Sequence, residues 1–271
     1  MAASTSAAEA GVEAATNTES RPSALPARML VFVVPLYNEA ENLPRLLADF
    51  EARPALFAQG GCLILVDDGS TDATATLADS YGGPVPVRLV RLDRNTGPGA
   101  AFRAGFDEAL RIVPEDGFII TLEGDTTSDL DALPTMLAEA ARGADVVLAS
   151  SELQNVSGLR RFLSTMAGKV VRLMLGLQAR TISSFFRAYR ASTLRIAIER
   201  HGENLIQEPG FACKAELLAK LAAQGARVAE VPVVLDGSRR IGKSRMPLLR
   251  TMFAYWRLIL RERYKQGRAV A

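Results

Sequence analysis

Five short apolar runs rich in β-branched residues, at 29–34, 62–66, 87–92, 118–122 and 145–149, recur through the first half of the chain. Stretches with helical periodicity separate them, at 40–57, 72–81, 99–113 and 130–142. A run of that length, apolar throughout, reads as a strand buried on both faces. Strands alternating with helices predict βαβ units, since a parallel neighbour is reached only through a long crossover. The expected fold class is therefore α/β: a Rossmann-like, mainly parallel sheet flanked by helices. Ligands of such sheets sit at the carboxyl ends of the strands. Polar residues gather at those ends: Tyr37, Asn38 and Glu39 after the first run, Asp67 and Asp68 after the second, Glu123 and Asp125 after the fourth.

The second half is more helical, with patterns at 158–176, 191–200, 210–224 and 247–265 and a strand-like run at 227–235. Residues 236–244 form a basic Gly/Ser-bearing loop, a natural place for a mobile substrate lid. Residues 1–28 are rich in Ala, Ser, Thr and Glu without an apolar run, which predicts a disordered tail. The expected organisation is a tail at 1–28, one catalytic domain at 29–246, and a basic amphipathic helix with its tail at 247–271.

Histidine usage narrows the chemistry more than any other count. His201 is the only histidine, placed beside Gly202 at an expected helix end, so neither a Ser-His-Asp triad nor a multi-histidine metal site has material to draw on. Acid-base or metal chemistry must rest on carboxylates. Cys62 and Cys213 lie in apolar and helical patterns and read as buried small hydrophobes rather than a disulfide or zinc pair. A formal net charge of +2 gives no reason to expect nucleic acid as a partner. No run reaches the roughly 20 apolar residues of a membrane-spanning helix, and the N-terminus lacks a signal-peptide pattern. The expected location is cytoplasmic, with any membrane contact peripheral at the inner face.

Carboxylates two apart at a strand end, with Gly124 letting the backbone bend, can share a hard divalent cation such as Mg²⁺ or Mn²⁺ together with phosphate oxygens. Asp68 can accept a nucleobase N–H or serve a solvated turn, and Asp72 reads as a helix cap.

The ordered set Val34-Pro35-Leu36-Tyr37-Asn38-Glu39, Val66-Asp67-Asp68-Gly69-Ser70-Thr71-Asp72, Asn95-Thr96-Gly97-Pro98-Gly99-Ala100 and Glu123-Gly124-Asp125 resembles family 2 glycosyltransferases of the GT-A fold. Within them it is most similar to the dolichol-phosphate mannose synthase-like group, over roughly 29–246. Phe186-Arg187-Ala188-Tyr189-Arg190 resembles that group's aromatic-basic segment, and Arg239 to Arg245 its Arg-x-x-Gly-x-Ser-Lys loop. The resemblance implies that Pro35, Tyr37, Glu39, Val66 and Asp68 hold the nucleotide. It implies that Glu123 and Asp125 occupy the metal motif, and that Arg239, Ser244 and Arg245 meet acceptor or phosphate oxygens. Asp125 and Arg239 are then the residues that act on the leaving diphosphate. Departures from the pattern are Glu123 for the usual first Asp, Arg245 for Lys, Pro98 where Lys often follows the glycine, Ser151 where Arg is frequent, and Thr181 and Phe185 for an Asp and a Gly.

The activity this implies is inverting transfer of a sugar from a nucleoside diphosphate sugar to a polyprenyl phosphate. Two alternatives stand beside it: transfer to a saccharide hydroxyl, or nucleotide-sugar binding without turnover. A phosphate acceptor needs no general base; a hydroxyl acceptor does, and Glu208 is then the candidate, against a reading as a helix-start residue. Two basic amphipathic patterns, at 159–174 and 248–260, can pack on the sheet or lie on an anionic membrane surface.

Overall fold

A computed structural model describes residues 28–151, 184–233 and 248–269. Its strands are β1 (Leu30–Leu36), β2 (Cys62–Asp67), β3 (Val87–Arg91), β4 (Phe118–Thr121), β5 (Val146–Ser151), β6 (Arg187–Arg190) and β7 (Val228–Val233). The helices are α1 (Leu43–Glu51), α2 (Thr74–Asp79), α3 (Pro98–Ile112), α4 (Leu133–Ala141), α5 (Ala191–His201), α6 (Cys213–Ala223) and α7 (Leu248–Ala269).

The strands form one sheet in the order β3-β2-β1-β4-β6-β5-β7. All pairings are parallel except those of β6, which runs antiparallel to both β4 and β5. The expected mainly parallel α/β sheet is thus present, with one strand the sequence reading did not anticipate. Because β6 is reversed between two strands of common direction, the carboxyl ends of β1, β2, β3, β4, β5 and β7 and the start of β6 all face one edge.

Alternation along the buried strands splits the core in two. Val31, Val33, Ile64, Val66 and Ile119 face α3, α5, α6 and α7, while Leu30, Phe32, Val34, Leu63, Leu65 and Ile120 face α1 and α4. Neither side of the central strands meets water, which is why the runs read as continuously apolar. Gly105 brings α3 close to the sheet: a Cβ there would stand 2.3 Å from Val33 Cγ1. The two cysteines are buried and unpaired, and burial pushes the Cys213 thiol up to about 12.

Candidate active site

The first two turns at the sheet edge are stitched to each other. Asn38 takes φ 53°, a left-handed conformation that Asn tolerates better than most side chains. Its amide N–H donates to Ser70 Oγ at 2.9 Å, and its Oδ1 accepts from Thr71 N at 2.7 Å and Asp72 N at 3.3 Å. The next amide, of Glu39, donates to Thr74 Oγ1 at 2.8 Å, and the Glu39 carboxylate accepts from Asn42 Nδ2 at 2.6 Å. Asp72, the expected cap of α2, stands one residue upstream of the N-cap, Ala73, and accepts from Thr74 N at 2.9 Å and from Ala40 N at 3.3 Å. Ser70 and Thr74 are therefore part of the site's frame, a role for which a lone hydroxyl gives little sequence signal.

A third turn joins through Asp68, which is 3% exposed. Its Oδ1 accepts from Thr96 N at 2.9 Å and its Oδ2 from Gly97 N at 2.8 Å. Asp68 thereby fixes the entry to α3, and its remaining lone pairs are what it can offer a ligand. Gly69 is required where it stands: φ is +65° and a Cβ would lie 2.4 Å from the Arg94 carbonyl carbon. Val66 is fully buried, so its contribution is to set the Asp67–Asp68 turn from below. Tyr37 and Pro35 are partly exposed at the mouth.

The acidic turn lies against the first one. A Cβ on Gly124 would stand 2.6 Å from Leu36 Cδ2 and 3.2 Å from Pro35 O, so glycine permits the close approach. Asp125 is 7% exposed; its Oδ1 accepts from Thr127 N at 3.2 Å and Thr127 Oγ1 at 2.7 Å. Between them Thr126 takes φ 62°, strained for a β-branched residue and the kind of backbone outlier that concentrates at functional sites. Glu123 is held inward: Oε1 accepts from Phe185 N at 3.2 Å and Oε2 from Ser128 Oγ at 3.0 Å. Burial raises its pKa above the usual carboxylate range and Asp125 adds to the rise, while the Lys214 ammonium and the two hydrogen bonds oppose it. Lys214 lies 3.9 Å from the Phe185 ring centroid. Burial brings its pKa down to about 8, against the pull of Glu123. Glu123 and Phe185, both departures from the family pattern, meet in one hydrogen bond: the longer acid reaches the amide that the Phe185 position presents.

Arg187 is 1% exposed, its guanidinium donating to Ser184 O at 2.8 Å and Lys214 O at 2.7 Å. It braces β6 to the start of α6 rather than facing the edge. Glu208 corrects an expectation. It starts no helix, since α6 begins at Cys213, and it is wholly buried. Its carboxylate pairs with Arg257 at 2.5 Å and Arg261 at 3.2 Å on α7, so it is not placed as a general base. Arg239, Ser244 and Arg245, the pattern at 159–174 and the basic loop lie outside the described residues; β7 leaves the sheet at the edge that carries the acidic turn.

A mainly parallel sheet with one reversed strand, its acidic and amide-rich turns converging on one edge, has the architecture of the GT-A glycosyltransferases. The chain belongs to glycosyl transferase family 2, whose model matches residues 31–197. Among its relatives is the undecaprenyl-phosphate mannosyltransferase of Micrococcus luteus, 32% identical over 222 residues that cover 79% of this chain and 86% of the relative. The polyprenol monophosphomannose synthase of Mycolicibacterium smegmatis is 29% identical over 231 residues, covering 82% of each. The glucosyl-3-phosphoglycerate synthase of Mycobacterium tuberculosis, solved with Mn²⁺, uridine diphosphate and glucosyl-3-phosphoglycerate, shares the fold. It superposes with a TM-score of 0.59 at 19% identity, over 86% of this chain and 77% of that one.

Proposed function

We propose that this glycosyltransferase moves a sugar from a nucleoside diphosphate sugar to a polyprenyl phosphate, inverting the anomeric carbon by direct displacement. The observation that carries the choice of acceptor is Glu208. A saccharide hydroxyl must lose its proton during attack, and the carboxylate expected to take it is buried against two arginines. A lipid phosphate is already an anion and needs only placement. The names of the relatives from Micrococcus luteus and Mycolicibacterium smegmatis support the same class of acceptor.

On this reading the turns of Pro35, Tyr37, Glu39, Val66 and Asp68 receive the nucleotide, and Asp125 is the principal ligand of Mg²⁺ or Mn²⁺. The donor set fits such an ion: Asp125 brings a hard carboxylate, 7% exposed, to the strand end, and Mg²⁺ commonly takes one or two carboxylates with substrate phosphates and water. Bound there, the ion offsets charge growing on the departing diphosphate. Glu123, drawn inward by Phe185 and Ser128, sets the shape of the turn beside Asp125. Arg239, with Ser244 and Arg245, is assigned to phosphate oxygens, a task suited to a permanently charged forked donor.

The acceptor brings the enzyme to a membrane. No helix among the described residues is long and apolar enough to cross one. α7 instead buries Leu258 and Ile259 and exposes Met252, Phe253, Trp256 and Leu260, each between 41% and 67% accessible. These four lie on one side of the helix, the apolar face that an interfacial helix presents to lipid. We assign the enzyme to the cytoplasmic face as a peripheral protein. Incubation with labelled nucleotide sugars and undecaprenyl phosphate tests the activity: a chloroform-soluble labelled sugar phosphate is expected. Label found only in a water-soluble saccharide would overturn the lipid acceptor.

A further inference from the structure

Two carboxylates with no exposed surface, Glu208 and Glu216, lie side by side beneath α7. Glu216 Oε2 accepts from the backbone amides of Gln207 at 2.9 Å and Glu208 at 2.7 Å, while Oε1 meets Lys220 and, at 2.7 Å, Arg261 Nη2. Glu208 receives Arg257 at 2.5 Å and Arg261 at 3.2 Å. One turn apart on α7, the two arginines therefore clamp residues 207–216 to that helix.

The clamped segment touches the donor edge through its backbone. Pro209 O accepts from Gly99 N at 2.9 Å, and a Cβ on Gly97 or Gly99 would stand 2.4 Å from Pro209 O or 2.1 Å from Glu208 O. Two glycines thus let 207–209 press on the start of α3, and Gly97 N is the donor to Asp68 Oδ2. The links from helix to nucleotide turn are Arg257 and Arg261, Glu208, Pro209, Gly97 and Asp68.

We propose that Arg257 and Arg261 are positioning residues for the donor site: by holding Glu208 and Glu216 they keep the 207–209 segment against the Thr96–Gly99 turn, so that seating of α7 and nucleotide affinity are coupled. This rests on the donor reading above. It gives α7 two faces with two tasks, one toward lipid and one toward the nucleotide turn. Coupling of this kind is reciprocal, so bound nucleotide must in turn steady α7.

The test uses the full chain, with UDP, GDP and dTDP as probes, each with Mn²⁺. Calorimetry on the Arg257→Ala/Arg261→Ala protein should show affinity weakened about tenfold for whichever nucleotide the unaltered chain binds. The Arg257→Lys/Arg261→Lys protein, which keeps both charges, should recover most of it. Hydrogen exchange on the unaltered protein answers without any substitution: nucleotide should slow exchange of amides 257–261. Unchanged affinity in a folded alanine variant overturns the proposal and leaves the donor reading intact, as does exchange in α7 that nucleotide does not alter. A chain that binds none of UDP, GDP and dTDP overturns both.

Discussion

At the β1–β2 edge short hydrogen bonds donated by backbone amides fasten the turns, between Asn38 and Ser70, Thr71 and Asp72, Glu39 and Thr74, and Asp68 and Thr96 and Gly97. By contrast α7 is joined to the body by Leu258 and Ile259 in the core and by long arginine side chains on two buried acids, and it turns Phe253 and Trp256 to solvent. Backbone-anchored turns keep their shape without a ligand, and such preorganisation is what binding and stabilising a charged diphosphate demands. On the proposed reading α7 meets a membrane, and a helix with that task gains from the opposite arrangement. It keeps an apolar face uncovered while its other face is held by packing and by ion pairs.

The contrast breaks most severely at Gly69. Gly69→Ala forces a Cβ into the Arg94–Asn95 backbone at a positive φ, and a loss of about 3 kcal/mol or more is expected in denaturant unfolding. Asn38→Ala removes the acceptor for Thr71 and Asp72 and leaves a left-handed residue without its side-chain support. Its cost should be about 2 kcal/mol by the same measurement. Phe253→Ser/Trp256→Ser changes a surface and should move stability by no more than about 0.5 kcal/mol. Flotation with vesicles containing anionic lipid should nevertheless show binding reduced several-fold. If the last pair unfolded the protein as badly as the first, the division between a rigid donor edge and an uncovered helix face would not stand.

The sheet was legible because β1, β2, β4 and β5 are buried and read as apolar runs, while β3, an edge strand expected to be buried, keeps Val87, Leu89 and Val90 only partly covered and turns Arg88 and Arg91 to solvent. β6 was not: it has four residues, and Arg187 within it is buried with its charge met by main-chain carbonyls, a state hydropathy does not register. The site's turns were legible as motifs, and the acidic turn, the Tyr37–Glu39 turn and the Asp67–Asp68 turn do share one edge. What each residue does there was less so. Glu123 resembles a metal ligand by position, and nothing near it in the chain announces that its carboxylate also accepts from an amide 62 residues further along. Glu208 looks like a helix start, but its partner Arg257 lies 49 residues away on another element, and Glu216 shows locally only its i,i+4 spacing to Lys220, not its tie to Arg261. Long-range ion pairs between elements are a property of packing, and no spacing along the chain announces them.

The central claim is that the Glu123-Gly124-Asp125 turn grips the donor's diphosphate through a metal, with Asp125 as the principal ligand. The most direct measurement is thermal shift across UDP-, GDP- and dTDP-sugars, with and without Mn²⁺, on the unaltered protein and on Asp125→Ala. At least one nucleotide sugar should raise Tm only when Mn²⁺ is present, and that rise should vanish in the variant. A rise that needs no metal and persists unchanged in Asp125→Ala would contradict the account.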